Sequence, residues 1–205
     1  MDPKFVHLNL HTEYSISDGI VRIKKLMDAC SEKAMPSVAF TDQSNLFALV
    51  KFYKAAMASG IKPIIGVDIW LENIKDEREP FKMLLLAQNQ DGYHNILKLI
   101  SRSFVEGQIL GVPIVKKAWL QELANGLIAL SGGKDGDVGR ALLSDDFDLA
   151  QQTLKFWQTT FPNRYYLELQ RTGRAREDEY LHKALDLAAQ LQCPVVATKA
   201  VRFLD

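Results

Sequence analysis

The 205-residue chain is short of cysteine, of net charge and of long apolar runs, and each shortage narrows what it can be. Its two cysteines, Cys30 and Cys193, stand far apart among apolar neighbours. They read as reduced, buried fillers of a cytoplasmic protein, with a disulfide as the lesser reading. Lysine plus arginine equals aspartate plus glutamate at 25 each. A net charge of zero argues against a chain that grips nucleic-acid phosphates by itself, and leaves open a neutral module inside a larger nucleic-acid enzyme. No apolar run approaches membrane-spanning length, and no charged-then-apolar signal segment opens the chain, so no membrane partner is expected. There is also no long linker, low-complexity tract or sign of a second domain.

What is present is ordinary for a globular core: 47% apolar and 24% charged residues over a length that suits one large domain or a barrel. Periodicity switches repeatedly between strand-like and helix-like. Strands are predicted over 5–10, 37–40, 64–70, 83–87, 127–130, 165–169 and 194–198. Several are continuous apolar runs, as when both faces are covered. Helices are predicted over 45–58, 92–104, 116–123 and 147–159. Two more follow from the stripe Ile23, Leu26, Met27, Cys30 and from Leu181, Ala184, Leu185, Ala188, Leu191. Seven strand–helix alternations imply an α/β fold with a mostly parallel sheet, closed into a barrel in preference to an open sheet. The acidic, lysine-containing stretch 72–80 reads as a solvated hairpin turn or excursion. Strand 194–198 is followed by only seven residues, which suggests a piece of a longer polypeptide.

The first strand is the most informative. Side chains alternate along a strand, so His7, Asn9 and His11 are expected on one face, and His-x-His would be a natural start for a metal site. Asn9 interrupts it. In parallel α/β barrels functional groups gather past the C-terminal strand ends. There the chain offers His11, Glu13 and Asp18; Thr41, Asp42 and Gln43; Asp68; Lys82; residues 131–133; Gln170, Arg171 and Thr172; and Lys199 through Arg202. A cluster of two or three metals needs roughly seven to nine ligands. Three or four plausible ligands stand here, among cations that would repel a metal.

Each residue also has a structural reading. His7 and His11 read first as hydrogen-bonded side chains, Asp18 as a turn or cap residue before Gly19, and Asp42 as a loop brace. Asp68, alone in an apolar run, needs a buried partner, Lys82 or an arginine. His94 and His182 read as surface residues. The run 132–137 lacks P-loop spacing and reads as a tight loop entering a helix at 138–143. Arg171, Arg174 and Arg176 read as solvated charge.

Residues 7–19, His-Leu-Asn-Leu-His-Thr-Glu-Tyr-Ser-Ile-Ser-Asp-Gly, closely resemble the opening motif of the PHP (polymerase and histidinol phosphatase) family. The blocks at 40–46, 50–53, 60–68, 84–89, 126–133 and 196–198 resemble, in order, the form of that domain found at the start of bacterial DNA polymerase III alpha subunits. The resemblance implies a distorted seven-stranded (β/α) PHP barrel, with mostly parallel strands, that elsewhere in the family holds up to three divalent ions. Carried over, the family's ligand positions fall on Asn9 and His11, Asp18, Gln43, Asp68, Lys82, Gly133, Thr172, and Ala200 with Arg202; His7 and Asp42 complete the vestigial set. The ligand pattern is mostly broken, so no metal and no catalytic residue are expected in this fragment.

By the same resemblance, residues 1–205 form one PHP domain of a longer chain. That parent is a DNA-directed DNA polymerase, a magnesium-using nucleotidyltransferase whose polymerase carboxylates lie beyond residue 205. The fragment's implied role is to scaffold the rest of the alpha subunit and to dock a proofreading exonuclease subunit, meeting DNA only through the parent. The alternative is a phosphoesterase or 3'-5' exonuclease-type hydrolase that keeps one or two Mn²⁺, Mg²⁺ or Zn²⁺ ions. Lysine and arginine in place of imidazole further suggest that fixed cations pair with Asp18 and Asp68 where ions once sat.

Overall fold

The computed structural model describes residues 5–16 and 18–204. In chain order its elements are α1 (Ile23–Glu32), β1 (Ser37–Phe40), α2 (Leu49–Ala58), β2 (Lys62–Leu71), β3 (Phe81–Ala87), α3 (Gln90–Glu106), β4 (Gln108–Ile109), β5 (Val112–Val115), α4 (Lys117–Glu122), β6 (Leu127–Leu130), α5 (Asp137–Leu143), α6 (Phe147–Thr160), β7 (Tyr165–Gln170), α7 (Glu177–Leu191) and β8 (Val195–Thr198). Local chemistry accounts for many boundaries. Asn89 Oδ1 accepts the Gly92 N–H to start α3, and Asp146 Oδ1 accepts the Leu149 N–H to start α6. The stripe Ile23, Leu26, Met27 and Cys30 is the buried face of α1. Both cysteines are free and buried.

The strands form one sheet in the order β4-β5-β2-β3-β6-β7-β8, with β1 beside the first half of β2. The sheet is mixed, which corrects the expectation of seven mostly parallel strands. Among the described strands β1–β2, β2–β5, β6–β7 and β7–β8 pair parallel, while β2–β3, β3–β6 and β4–β5 pair antiparallel. The reason lies in the connection 72–80, which carries no helix. Without a crossover helix β3 must return alongside β2, and it ends up inverted against both neighbours. The inversion brings Lys82, at the start of β3, level with Trp70 near the end of β2.

Residues 7–11 close the sheet, but not as the regular strand expected over 5–10. On one side Ala39 N–H donates to His7 O and Thr41 N–H to Leu10 O; on the other His11 N–H donates to Val201 O and Val201 N–H to Asn9 O. Strict alternation fails because Leu10 N–H is taken by the Thr41 hydroxyl at 2.8 Å. Leu8 packs inside with Ala39, Leu84, Leu86 and Leu130, whereas Leu10 packs outside against Ile23, Phe40 and Phe52. The inner cluster draws side chains from β1, β2, β3, β6, β7 and β8, as a barrel core must. A larger outer core, including Trp119, Leu154, Trp157 and Tyr180, binds α3–α7 to the sheet.

Candidate functional site

The closing segment delivers Asn9 and His11 to the same end of the barrel as Asp68 and the residues after β8. His11 is fully buried. Its Nδ1 lies 2.6 Å from Asp18 Oδ1 and 3.2 Å from the Ser15 hydroxyl. Its Nε2 lies 3.3 Å from Asp68 Oδ2, an electrostatic contact rather than a directed hydrogen bond. Burial opposes a charge on His11, yet the Asp18 and Asp68 carboxylates outweigh it and raise the imidazole pKa. For Asp18, burial is likewise overcome by His11 and Arg202, which hold its carboxyl well below the usual range.

Arg202 lies at the centre. Its Nε donates to Asp18 Oδ2 at 2.9 Å and its Nη1 to Asn9 Oδ1 at 3.0 Å, and its Nη2 sits 3.9 Å from Asp68 Oδ2. The partner expected for the buried Asp68 is therefore this arginine together with His11. Lys82 is not that partner: its Nζ lies 5.1 Å over the Trp70 ring, although the side chain lines the same small cavity. That cavity, about 30 Å³, is also lined by Asn9, Asp68, Glu168, Ala200 and Arg202.

Other expected positions fall elsewhere. His7 is turned away, packed edge-on to Phe5 at 5.0 Å, with its pKa lowered by burial and by Lys199 and Lys33. The one-face expectation for His7, Asn9 and His11 fails where the alternation breaks. Asp42 is fully buried and braces the loop, accepting the Thr12 N–H at 2.5 Å and the Thr12 hydroxyl at 2.7 Å; burial raises its pKa against those bonds. Gln43 donates to Asp68 O at 3.0 Å and so pins the backbone of β2. Thr172 lies in the loop before α7, where its N–H and hydroxyl donate to Glu177, the first residue of that helix. Gly133 has φ +60°, and Gly132 before it has φ +75° with the Lys82 carbonyl where a Cβ would sit, so this pair serves a tight turn.

Glu168 was missed. It is fully buried on β7, and its Oε1 accepts from Thr198 Oγ1 at 2.5 Å, Gln170 Nε2 at 2.9 Å and Asn9 Nδ2 at 3.3 Å, while Oε2 has no hydrogen-bond partner among the described residues. Burial raises its pKa against the pull of Thr198 and Gln170. The signal was there: a single carboxylate inside Tyr-Tyr-Leu-Glu-Leu poses the question already asked of Asp68.

The arrangement does not fit a divalent ion. Arg202 already supplies the positive charge among Asp18, Asn9 and Asp68, and an amide stands where an imidazole ligand would be needed. Among the described residues no group of three or more His, Cys, Asp or Glu side chains is arranged to hold a metal. No described helix is long and apolar enough to cross a membrane.

Comparison with known proteins shows the family and the fold. The PHP domain family matches residues 7–172. DNA polymerase III subunit alpha of Pseudomonas aeruginosa is 49% identical over 204 residues, covering all of this chain and 17% of that protein. The Vibrio cholerae and Escherichia coli K12 subunits are 47% and 45% identical, each with 18% of its length covered. The chain thus spans under a fifth of the relatives it matches. Among solved structures, an amidohydrolase from Chromobacterium violaceum with bound sulfate and no metal has TM-score 0.62 at 13% identity, covering 96% of this chain and 87% of that one. A candidate metal-dependent phosphoesterase from Bifidobacterium adolescentis has TM-score 0.60 at 13% identity, with 97% and 87% covered. The chain belongs to the PHP domain family, in the form shared with DNA polymerase III alpha subunits.

Proposed function

We propose that residues 1–205 form one PHP domain of a longer, cytoplasmic replicative polymerase whose activity lies in the rest of the chain, and that this domain is a scaffold rather than a hydrolase. Its positions His7, Asn9, His11, Asp18, Asp42, Gln43, Asp68, Lys82, Gly133, Thr172, Ala200 and Arg202 are the remnant of a metal site. The observation that carries the reading is Arg202, whose guanidinium bonds Asp18 and Asn9 and faces Asp68. A guanidinium neutralises carboxylates and fixes geometry, but it neither activates water nor opens a coordination position. What is left for the domain is structural: a stable barrel that supports the polymerase, with DNA met only there, and an outer surface on which a proofreading exonuclease subunit docks.

The test uses the full-length chain. It is expected to purify without stoichiometric Mn, Mg or Zn, to show no phosphoesterase turnover with added Mn²⁺, and to melt at the same temperature with and without a chelator. Two bound ions together with turnover that His11→Ala abolishes would establish the hydrolase instead.

A further inference from the structure

Parallel strands of an α/β barrel are covered on both faces, by packed side chains within and by a helix without. Here α1 joins the closing segment 7–11 to β1 and packs outside Leu10, Val38 and Phe40, while α7 joins β7 to β8 and packs outside Leu167. The last strand is different. β8 pairs parallel with β7, and its Val196 packs into the barrel interior. Its outward residues are bare: Val195 is 41% exposed, and Ala197 stands exposed two residues on. Among the described residues no helix follows β8.

The bare strip is an open groove of about 460 Å³. Ala197 of β8 and Lys199 just beyond it line one side, Phe5 and His7 of the closing segment the other, and Leu181 of α7 adds a wall. Lys33, at the end of α1, bears on His7 electrostatically. The groove thus lies between α7 and α1, the place a helix after β8 takes when strand and helix alternate around a barrel. The path of the backbone points there too. Val201 N–H donates to Asn9 O, Arg202 enters the remnant site, and Leu204 packs against the cluster beneath α1. The backbone therefore emerges outside the barrel, at the Lys199 end of the groove, in a chain that spans under a fifth of its relatives.

We propose that residues following 205 form an amphipathic helix that folds back into this groove as the outer cover of β8. The proposal rests on the reading of residues 1–205 as part of a longer polymerase, and adds that the polymerase's own chain completes the barrel. The helix sets apolar side chains against Ala197, Leu181 and Phe5. A carboxylate on its edge meets Lys199, for the lining holds no Asp or Glu. A tethered segment arrives at high effective concentration, which favours it over a separate molecule of the same chemistry. Because Arg202 lies between β8 and that helix in the chain, seating the helix also anchors the guanidinium that pairs with Asp18.

Two measurements on the full-length chain, without other subunits, test this. Ala197→Cys is expected to react with a maleimide at least about tenfold more slowly than Lys155→Cys on the exposed side of α6, read peptide by peptide by mass spectrometry. A photo-crosslinking benzophenone side chain in place of Lys199 is expected to join a peptide from beyond residue 205, with the product keeping the mass of a single chain. Equal labelling rates, an adduct with residues 1–204, an adduct between two chains or no adduct would each overturn the covering helix. So would an adduct that forms with the exonuclease once that subunit is added. None of these outcomes touches metal content or turnover, so the scaffold reading stands or falls on its own test.

Discussion

Asp18 and Asp68 share Arg202 and His11, yet they stand in different solvent. The Asp68 side chain is 3% exposed and that of Asp18 38%. Removing the cation should cost more than removing the exposed anion. Arg202→Ala, which strands Asp68 in the interior, is expected to lose about 3 kcal/mol, and Asp18→Asn about 1 kcal/mol because water screens that pair. The pH dependence follows from the shifts. The raised His11 pKa contributes stability that is whole below its unfolded value near about 6.5 and drains away as pH rises through the folded value. The lowered Asp18 pKa contributes stability present above about pH 4 and lost as pH falls through the folded value. The two overlap between about pH 4 and pH 6.5. Urea titrations should therefore find the gap between wild type and Asp18→Asn widest there and narrower above about pH 8; a gap that keeps widening would remove the charged pair from the account. Glu168 has the opposite sign. A carboxyl raised by burial costs stability as pH climbs past its unfolded value. Glu168→Gln should thus melt no lower than wild type at pH 7, whereas Glu168→Leu, which strands Asn9, Gln170 and Thr198, should lose about 2 kcal/mol.

At the scale of elements, the helices were the most legible part. The stripe Ile23, Leu26, Met27 and Cys30 is the buried face of α1, whereas of the stripe expected on α7 only Ala184 and Ala188 are buried and Leu185 is 40% exposed, because Tyr180 and Leu187 take the inner face instead. Short elements were not legible. The β4–β5 hairpin went unseen because its turn is Leu110-Gly111, at φ 51° and 82°, and leucine is no turn residue. That strain is testable: Leu110→Asn, in a side chain 79% exposed, should raise stability by about 0.5–1 kcal/mol in thermal or chemical melts. A loss would mean that Leu110 packs against something outside residues 5–204. The connection 72–80 is legible as a helix-free excursion, but the inversion of β3 that it imposes appears only when β3 pairs with β2 and β6.

For the whole molecule, the site was legible as a set of residue types and illegible as a set of contacts. The expected ligand positions carry few imidazoles and two cations, as Asn9, Gln43, Lys82 and Arg202 show in the sequence itself. Which cation would serve was not visible. The sequence offers Asp68 either Lys82 or an arginine without saying which arginine, and the choice depends on side-chain reach and on Trp70 holding the lysine aside. Glu168, 159 residues from Asn9, joined the site only through barrel closure. What the chain's order of residues determined alone was the stripe of α1, the existence of its main helices and its neutral balance, because these are properties of short segments and of composition. The tertiary structure decided the direction of β3, the turning away of His7 and the meeting of Arg202 with Asp18 and Asp68, because each depends on which distant backbone groups pair when the sheet closes between residues 9–11 and Val201.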